Sequence, residues 1–274
     1  MIIETKKTLA NVLSHFRDAT IGFVPTMGAL HQGHLSLMQR CRENSIRVAS
    51  IFVNPTQFNN KNDFENYPQS FDTDVEMLTS AGCDFIFAPS VEEMYAEEDN
   101  RVIYFGQLDK VMEGQYRPGH FNGVAQIICK LFDIVNPNKA YFGEKDFQQV
   151  AIIRHLVSKM NYQTEIVSCP IVREADGLAM SSRNILLTPQ QRQSASIISR
   201  ALFAAKEKTG TMPLAELKRW VIEQIDNTAE MKTEYFEIVD RNTLEAAVEY
   251  KKDSLQGCIA AYAGKVRLID NIRL

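Results

Sequence analysis

The stretch that most constrains the fold is residues 21–41. Ile21-Gly22-Phe23-Val24 is a short unbroken apolar run, bounded like a buried strand. Leu35-Ser36-Leu37-Met38-Gln39-Arg40-Cys41 carries apolar residues at helical spacing. Between them lies only Pro25-Thr26-Met27-Gly28-Ala29-Leu30-His31-Gln32-Gly33-His34. The stretch therefore reads as a strand, a loop with two glycines and a helix start. His31 and His34 are three residues apart and share a helix face, so both rings can address one ligand. The first N–H groups of a helix lack intrahelical partners and carry the positive end of its dipole, which makes an anion site. Gly28 and Gly33 let backbone come close where a Cβ would obstruct. The arrangement suits the phosphates of a nucleotide. The same spacing could serve a metal pair, but zinc asks for a third ligand and often a nearby glutamate, and neither adjoins it.

Further apolar runs alternate with helical stripes. Residues 48–53, 84–89, 139–142 and 165–169 read as strands, and 101–105 as another short one. Stripes at residues 8–18, 71–78 and 124–135 read as helices, and 144–149 opens another that runs to Asn161. Residues 59–69, 113–123 and most of 170–184 read as loops, and the acidic 90–100 as a solvated surface segment. Thr188-Pro189-Gln190-Gln191 is a helix start with a cap, a proline at the first helical position and a capping-box glutamine, and its helix is expected to reach Lys208. Another helix from Met212-Pro213 to Asn227 follows, then strands near 235–239, 257–262 and 266–269, with a short helix after the first. The order changes near Asp176. The expected architecture is an α/β parallel-sheet domain over residues 1–175 and a smaller α+β domain over 176–274.

Polar residues beyond strand ends are the candidates for chemistry, because ligands of open α/β sheets bind outside the carboxyl ends of strands. Asn54 and Gln57 leave the strand at 48–53, and Arg117 and His120 sit in the glycine-rich loop. Gly143-Glu144-Lys145-Asp146 repeats the first pattern: Lys145 offers a compact positive charge, and Asp146 an acceptor for ribose hydroxyls. Glu144 and Asp146 could equally just complement a helix dipole. Ser181, Ser182 and Arg183 set two hydroxyls and a guanidinium side by side, good donors to phosphate oxygens.

Net charge of −4 with a pI near 5.8 argues against a nucleic-acid surface as the main business. The five cysteines are an odd number, widely spaced and without Cys-x-x-Cys, so reduced thiols in a cytoplasmic protein are expected. No signal-peptide core opens the sequence, and no apolar run is long enough to span a bilayer.

Taken together, Pro25–His34, Phe52-Val53-Asn54-Pro55-Thr56-Gln57-Phe58, Arg117-Pro118-Gly119-His120-Phe121, Phe142–Gln149, Val172-Arg173-Glu174, Met180-Ser181-Ser182-Arg183-Asn184 and Leu268-Ile269-Asp270-Asn271 resemble the signatures of the pantothenate synthetase family, in the family's order. Thr56 departs from the pattern, where a methionine is more usual. The resemblance implies a Rossmann-like N-terminal domain of the nucleotidyltransferase superfamily and a smaller C-terminal domain closing over the site. It implies ATP-dependent condensation of pantoate with β-alanine through a pantoyl adenylate, with Mg²⁺, in a homodimer. It also implies no membrane and no nucleic-acid partner, and it names no protein ligand for the metal. By position it implies ATP contacts from Met27, Gly28, Ala29, Leu30, His31, Gln32, Gly33 and His34, with His34 as acid or donor. Gly143, Glu144, Lys145, Asp146, Val172, Met180, Ser181, Ser182 and Arg183 would complete the nucleotide set, and of these Lys145, Ser181, Ser182 and Arg183 join both histidines in catalysis. Gln57 and Gln149 would hold pantoate, Gln57 also facing β-alanine, with Asn54 and Arg117 beside the substrates. Rival readings are another adenylyl-transferring enzyme of the same fold, separated by whether AMP release needs β-alanine, and a nucleotide-binding regulator without turnover.

Overall fold

The structure, a computed structural model, describes residues 1–59, 61–97 and 99–274. Asn60 and Glu98, which fall within the polar stretches at 59–69 and 90–100, lie outside the described residues. The strands are β1 (Ile2–Ile3), β2 (Ile21–Thr26), β3 (Ile46–Ile51), β4 (Phe85–Phe87), β5 (Lys139–Gly143), β6 (Glu165–Cys169), β7 (Met231–Asp240), β8 (Leu255–Ala263) and β9 (Val266–Arg273). The helices are α1 (Lys6–Leu13), α2 (Gln32–Cys41), α3 (Lys61–Glu65), α4 (Phe71–Ser80), α5 (Val91–Met94), α6 (Met112–Tyr116), α7 (His120–Val135), α8 (Phe147–Met160), α9 (Pro189–Ala195), α10 (Ile197–Lys208) and α11 (Leu214–Asp226). Residues fall into two compact units: Met1–Phe105, Arg117–Glu144 and Gln149–Pro170 form the first, and Gly106–Tyr116, Lys145–Gln148 and Ile171–Leu274 the second.

The first unit is built on a six-stranded parallel sheet in the order β1-β4-β3-β2-β5-β6. Neighbouring side chains of a strand face opposite sides. Val24 packs with Leu37 and Met38 of α2 and Leu78 of α4, while Phe23 meets Phe132 of α7 edge to face at 6.4 Å. Both faces are thus covered, as continuous apolar strands require. From β2 the chain builds outward through β3 on one side and returns to β5 on the other, so a topological switch lies between β2 and β5. β2 pairs with β3 along its whole length, from Ile21↔Ile46 to Thr26↔Ile51. With β5 it pairs only at Gly22↔Lys139 and Phe23↔Ala140, so the two strands part toward their carboxyl ends. Pro25 sits in the parted half. The carbonyl of Ile21 faces Asn138 on the β5 side and that of Thr26 faces Phe52 on the β3 side, so by alternation Pro25 turns its backbone toward β5.

The second unit carries an antiparallel sheet, β7-β8-β9. Ile198 and Leu202 of α10 and Leu217 and Val221 of α11 pack on Phe236, Ile259, Leu268 and Ile272.

Several expectations need correction. Residues 101–105 form no strand: Asn122 and Gln126 of α7 occupy their backbone instead, with Asn122 Oδ1 accepting from the Ile103 N–H at 2.9 Å and Gln126 Nε2 donating to the Arg101 carbonyl at 2.9 Å. The long loop at 113–123 is mostly helical, since α6 ends at Tyr116 and α7 begins at His120. Gly114 there is a close-packing glycine, whose Cβ would lie 2.2 Å from the Asp109 carbonyl oxygen. The single helix expected to run to Lys208 is two, divided at Ser196, whose hydroxyl bonds back to the Gln193 carbonyl at 2.9 Å. No helix lies between β7 and β8, where Ala246 bridges back to Val239. Residues 61–65 of the stretch read as a loop form the short α3.

Candidate active site

In the first unit β2 runs into a tight loop and then α2. Gly28 has φ +78° and Ala29 φ +49°, the latter a conformation that an L-residue holds only with help. The help comes from Asp74 on α4, which is 1% exposed. Its Oδ2 accepts from the Ala29 N–H and its Oδ1 from the Leu30 N–H, both at 2.8 Å, and Ser70 Oγ donates to Oδ1 at 3.0 Å. Asp74 escaped the sequence reading. The signal was present: it lies on the apolar face of its helix, three residues after Phe71 and four before Leu78.

His31 is the N-cap of α2, with φ −143°. Its Nδ1 accepts from the Gly33 N–H at 3.1 Å, and His34 Nδ1 accepts from the His31 N–H at 3.3 Å. The two histidines therefore form a capping box, a job usually done by Ser or Thr with Glu or Gln. An acceptor Nδ1 bears no proton, so each neutral ring carries its proton on Nε2. The rings lie 4.2 Å apart, centroid to centroid. The box takes up the His31 and Gly33 N–H groups, and the His34 N–H bonds the His31 carbonyl at 2.8 Å, so the two imidazoles, rather than open main-chain donors, set the character of this helix start.

Asn54 and Gln57 follow β3 on a turn over Pro55–Gln57. Asn54 is buried, and its amide is engaged: Nδ2 donates to the Gly123 carbonyl at 3.2 Å and to Gln57 Oε1 at 3.3 Å, and Oδ1 accepts from Tyr95 at 2.6 Å. Gln57 Nε2 donates to Met27 Sδ, so the structure brings the strand-end glutamine against the first residue of the glycine loop. Arg117 and His120 converge on the same turn. His120 Nδ1 donates to the Gln57 carbonyl at 2.8 Å, which leaves Nε2 to accept from Arg117 Nη1 at 3.1 Å. His120 is accordingly neutral in this arrangement. Gly143 ends β5 and Glu144 follows it, Glu144 Oε1 accepting from Ser168 Oγ at 3.0 Å, and Gln149 lies half-buried in the first turn of α8.

In the second unit Lys145 and Asp146 lie in a short 3-10 turn over Glu144–Asp146 and are half-buried. Val172 and Met180 are joined by a backbone bond, Met180 N–H to Val172 O at 3.0 Å, across a hairpin in which Arg173 bridges Ala179. Ser181 Oγ caps the following 3-10 turn by accepting from the Arg183 N–H at 3.3 Å. Ser182 and Arg183 are half-buried in that turn. Among the described residues no group of three or more His, Cys, Asp or Glu side chains could hold a metal ion, and no helix is long and apolar enough to cross a membrane.

Comparison with known proteins gives a consistent answer. The family described as pantoate-beta-alanine ligase matches residues 1–273. The chain is 52% identical to the pantothenate synthetase of Bacteroides thetaiotaomicron over 277 aligned positions, covering 99% of this chain and 98% of that one. Among solved structures it is similar to pantothenate synthetase from Thermus thermophilus, with a TM-score of 0.94 and 42% identity over 99% of this chain and 98% of the other. It is also similar to pantoate-beta-alanine ligase from Francisella tularensis complexed with beta-gamma ATP and beta-alanine, with a TM-score of 0.84 and 36% identity over 100% of this chain and 97% of the other.

Proposed function

The chain belongs to the pantoate-beta-alanine ligase family and forms pantothenate from pantoate and β-alanine; from that premise we propose how its residues do so. A carboxylate is a poor acyl donor at neutral pH. ATP makes it a good one: a carboxylate oxygen of pantoate attacks the α-phosphorus, the bond to the bridging oxygen breaks, and pyrophosphate leaves. The β-alanine amine then attacks the acyl carbon of the pantoyl adenylate, AMP leaves, and the amine gives up a proton. The Francisella ligase with bound beta-gamma ATP and beta-alanine supports this substrate set.

Neither step needs a protein nucleophile. The work is positioning and neutralising charge on oxygens. The observation that carries the reading is the histidine-built capping box at the start of α2, beside the parting of β2 from β5. We assign the phosphates to Met27, Gly28, Ala29, Leu30, His31, Gln32, Gly33 and His34, with His34 donating to developing charge. Gly143, Glu144, Lys145, Asp146, Val172, Met180, Ser181, Ser182 and Arg183 complete the nucleotide set. Gln57 and Gln149, each with an amide that both donates and accepts, suit a substrate with hydroxyls and a carboxylate. For Asn54 and Arg117, the hydrogen bonds around the Pro55–Gln57 turn favour fixing Gln57 over touching substrate. Mg²⁺ would come with the nucleotide, keeping several waters and bound mainly by the phosphates with at most one or two carboxylates, and it would neutralise charge on the phosphate oxygens that the ATP-facing residues position. Five free, buried cysteines support a cytoplasmic setting, and the family resemblance a homodimer, to be read by light scattering.

The test is single turnover with labelled ATP, Mg²⁺ and pantoate. Pantoyl adenylate should accumulate on the protein, and β-alanine should discharge it to pantothenate and AMP. AMP appearing equally fast without the amine refutes the shielded two-step reaction.

A further inference from the structure

The signature at residues 268–271 has no part in the reaction just described, although Asp270 and Asn271 are both 3% exposed. They are neighbours on β9, so their side chains leave opposite faces of the sheet. Asp270 shares its face with Leu268 and Ile272, which belong to the core under α10 and α11. A lone carboxylate there would be costly. Arg173 compensates it, donating from both terminal nitrogens at 2.6 and 2.9 Å, and the Asn271 N–H adds a bond at 2.7 Å. The same guanidinium donates to the Gly177 carbonyl at 3.0 Å, inside the hairpin that ends in Met180. On the other face, Asn271 Nδ2 donates to the Lys145 carbonyl at 2.9 Å. Its Oδ1 accepts from Gln256 Nε2 at 2.6 Å, and Gln256 Oε1 accepts from Arg241 at 2.9 Å. One dipeptide therefore grips Lys145 on one face and the Arg173–Ala179 hairpin on the other.

We propose that Asp270 and Asn271 are positioning residues for the nucleotide, setting Lys145 and the Met180–Arg183 segment in one frame without touching ATP. The inference rests on the reading of Lys145 and Met180–Arg183 as ATP residues. A buried Asp–Arg pair could serve stability alone, but stability does not explain why Asn271 bonds a main-chain carbonyl of the very residue assigned to phosphate. Small displacements of a positioned group are expensive in rate, on the order of 100-fold per ångström.

The test is a double-mutant cycle on the full chain, with kcat and KM measured for all three substrates. Lys145→Ala should lower kcat/KM for ATP by about 100-fold. Asn271→Ala, or Asn271→Ser should the first fail to fold, should lower it by about 10- to 100-fold while the KM for pantoate and for β-alanine stays within about twofold. The Lys145→Ala/Asn271→Ala pair should be no worse than Lys145→Ala alone, whereas Asp270→Asn should add to Lys145→Ala, because it loosens a different segment. Normal ATP kinetics in Asn271→Ala beside an impaired Lys145→Ala overturns the inference alone. Normal kinetics in Lys145→Ala overturns the assignment on which it rests and the inference with it. An equal loss toward all three substrates, additive in the cycle, marks Asn271 as merely structural and also overturns it.

Discussion

Gly123→Ala tests whether the turn that carries Gln57 is held in place by the close approach of α7. A Cβ on Gly123 would lie 2.3 Å from the Thr56 carbonyl oxygen, 2.6 Å from the Thr56 carbonyl carbon and 2.9 Å from the Gln57 nitrogen. The first distance is about 1 Å short of ordinary contact, and its neighbours are backbone, which cannot rotate away. Two effects compete. Alanine inside a helix is favoured over glycine by about 0.5–1 kcal/mol. Overpacking a fitted contact costs about 1–3 kcal/mol. The clash wins, so the variant should be less stable by about 1 kcal/mol. The turn can relieve the contact only by moving away from α7, and it takes Gln57 with it, loosening the Asn54 bond to the Gly123 carbonyl. A displacement of about 1 Å in a substrate-positioning group lowers rate by on the order of 100-fold. The assay is steady-state pantothenate formation with each substrate varied in turn. Expected are a large fall in kcat/KM for pantoate, little change in ATP affinity by calorimetry, and a lower melting temperature. A variant that is more stable than the parent, with pantoate kinetics unchanged, refutes the reasoning, because helix propensity would then be the only effect acting.

Three further outcomes are expected. His34→Ala should slow adenylate formation by about 100- to 1,000-fold, the usual loss of one positioned donor, and an unchanged rate of pyrophosphate release would count against the assignment. Asp74→Asn should turn one acceptor into a donor against the Ala29 or Leu30 N–H, costing about 1.5–3 kcal/mol in the loop; ATP-dependent turnover should fall at least tenfold with circular dichroism unchanged, and full activity would show that the loop holds itself. Burial pushes the Cys41 and Cys83 thiols up to about 12 and Cys169 up to about 11, whereas in the unfolded chain they ionise near 9.0. The folded state thus binds their protons more tightly, so this contribution is complete below about pH 9 and is lost as pH rises through 11 to 12. Urea midpoints should fall in that window, and iodoacetamide at pH 8 should label these three cysteines only in denaturant; rapid labelling of the native protein would contradict it.

The strands of the first unit were legible because a strand buried on both faces is predominantly apolar, as in Ile21–Val24 of β2, Val48-Ala49 of β3 and Ala140–Phe142 of β5. Residues 101–105 show where that rule fails. Their apolar side chains read as a strand, yet Ile103 finds its partner in an asparagine side chain of α7, a pairing that local pattern cannot reveal. Ser196 divides α9 from α10 by a side-chain bond to the Gln193 carbonyl three residues back, a choice that the helical stripe leaves open. At the candidate site the loop, the helix start and the place of both histidines on it were legible. The capping box that fixes which ring nitrogens bear protons was not, since it needs the rotamers. Asp74 was within reach from its place on an apolar helix face; Asn271 stood in a recognised signature, but its bond to Lys145, 126 residues away, was not legible.

Pro25 has a consequence for how this protein meets its ligand. Facing β5, it has no N–H with which to extend the ladder beyond Phe23↔Ala140. The gap between β2 and β5 is therefore written into the covalent chain and is not a thermal excursion that a ligand has to capture. A ligand seated at these strand ends would break no interstrand bond to enter, so none of its binding free energy would be diverted to prying the sheet open.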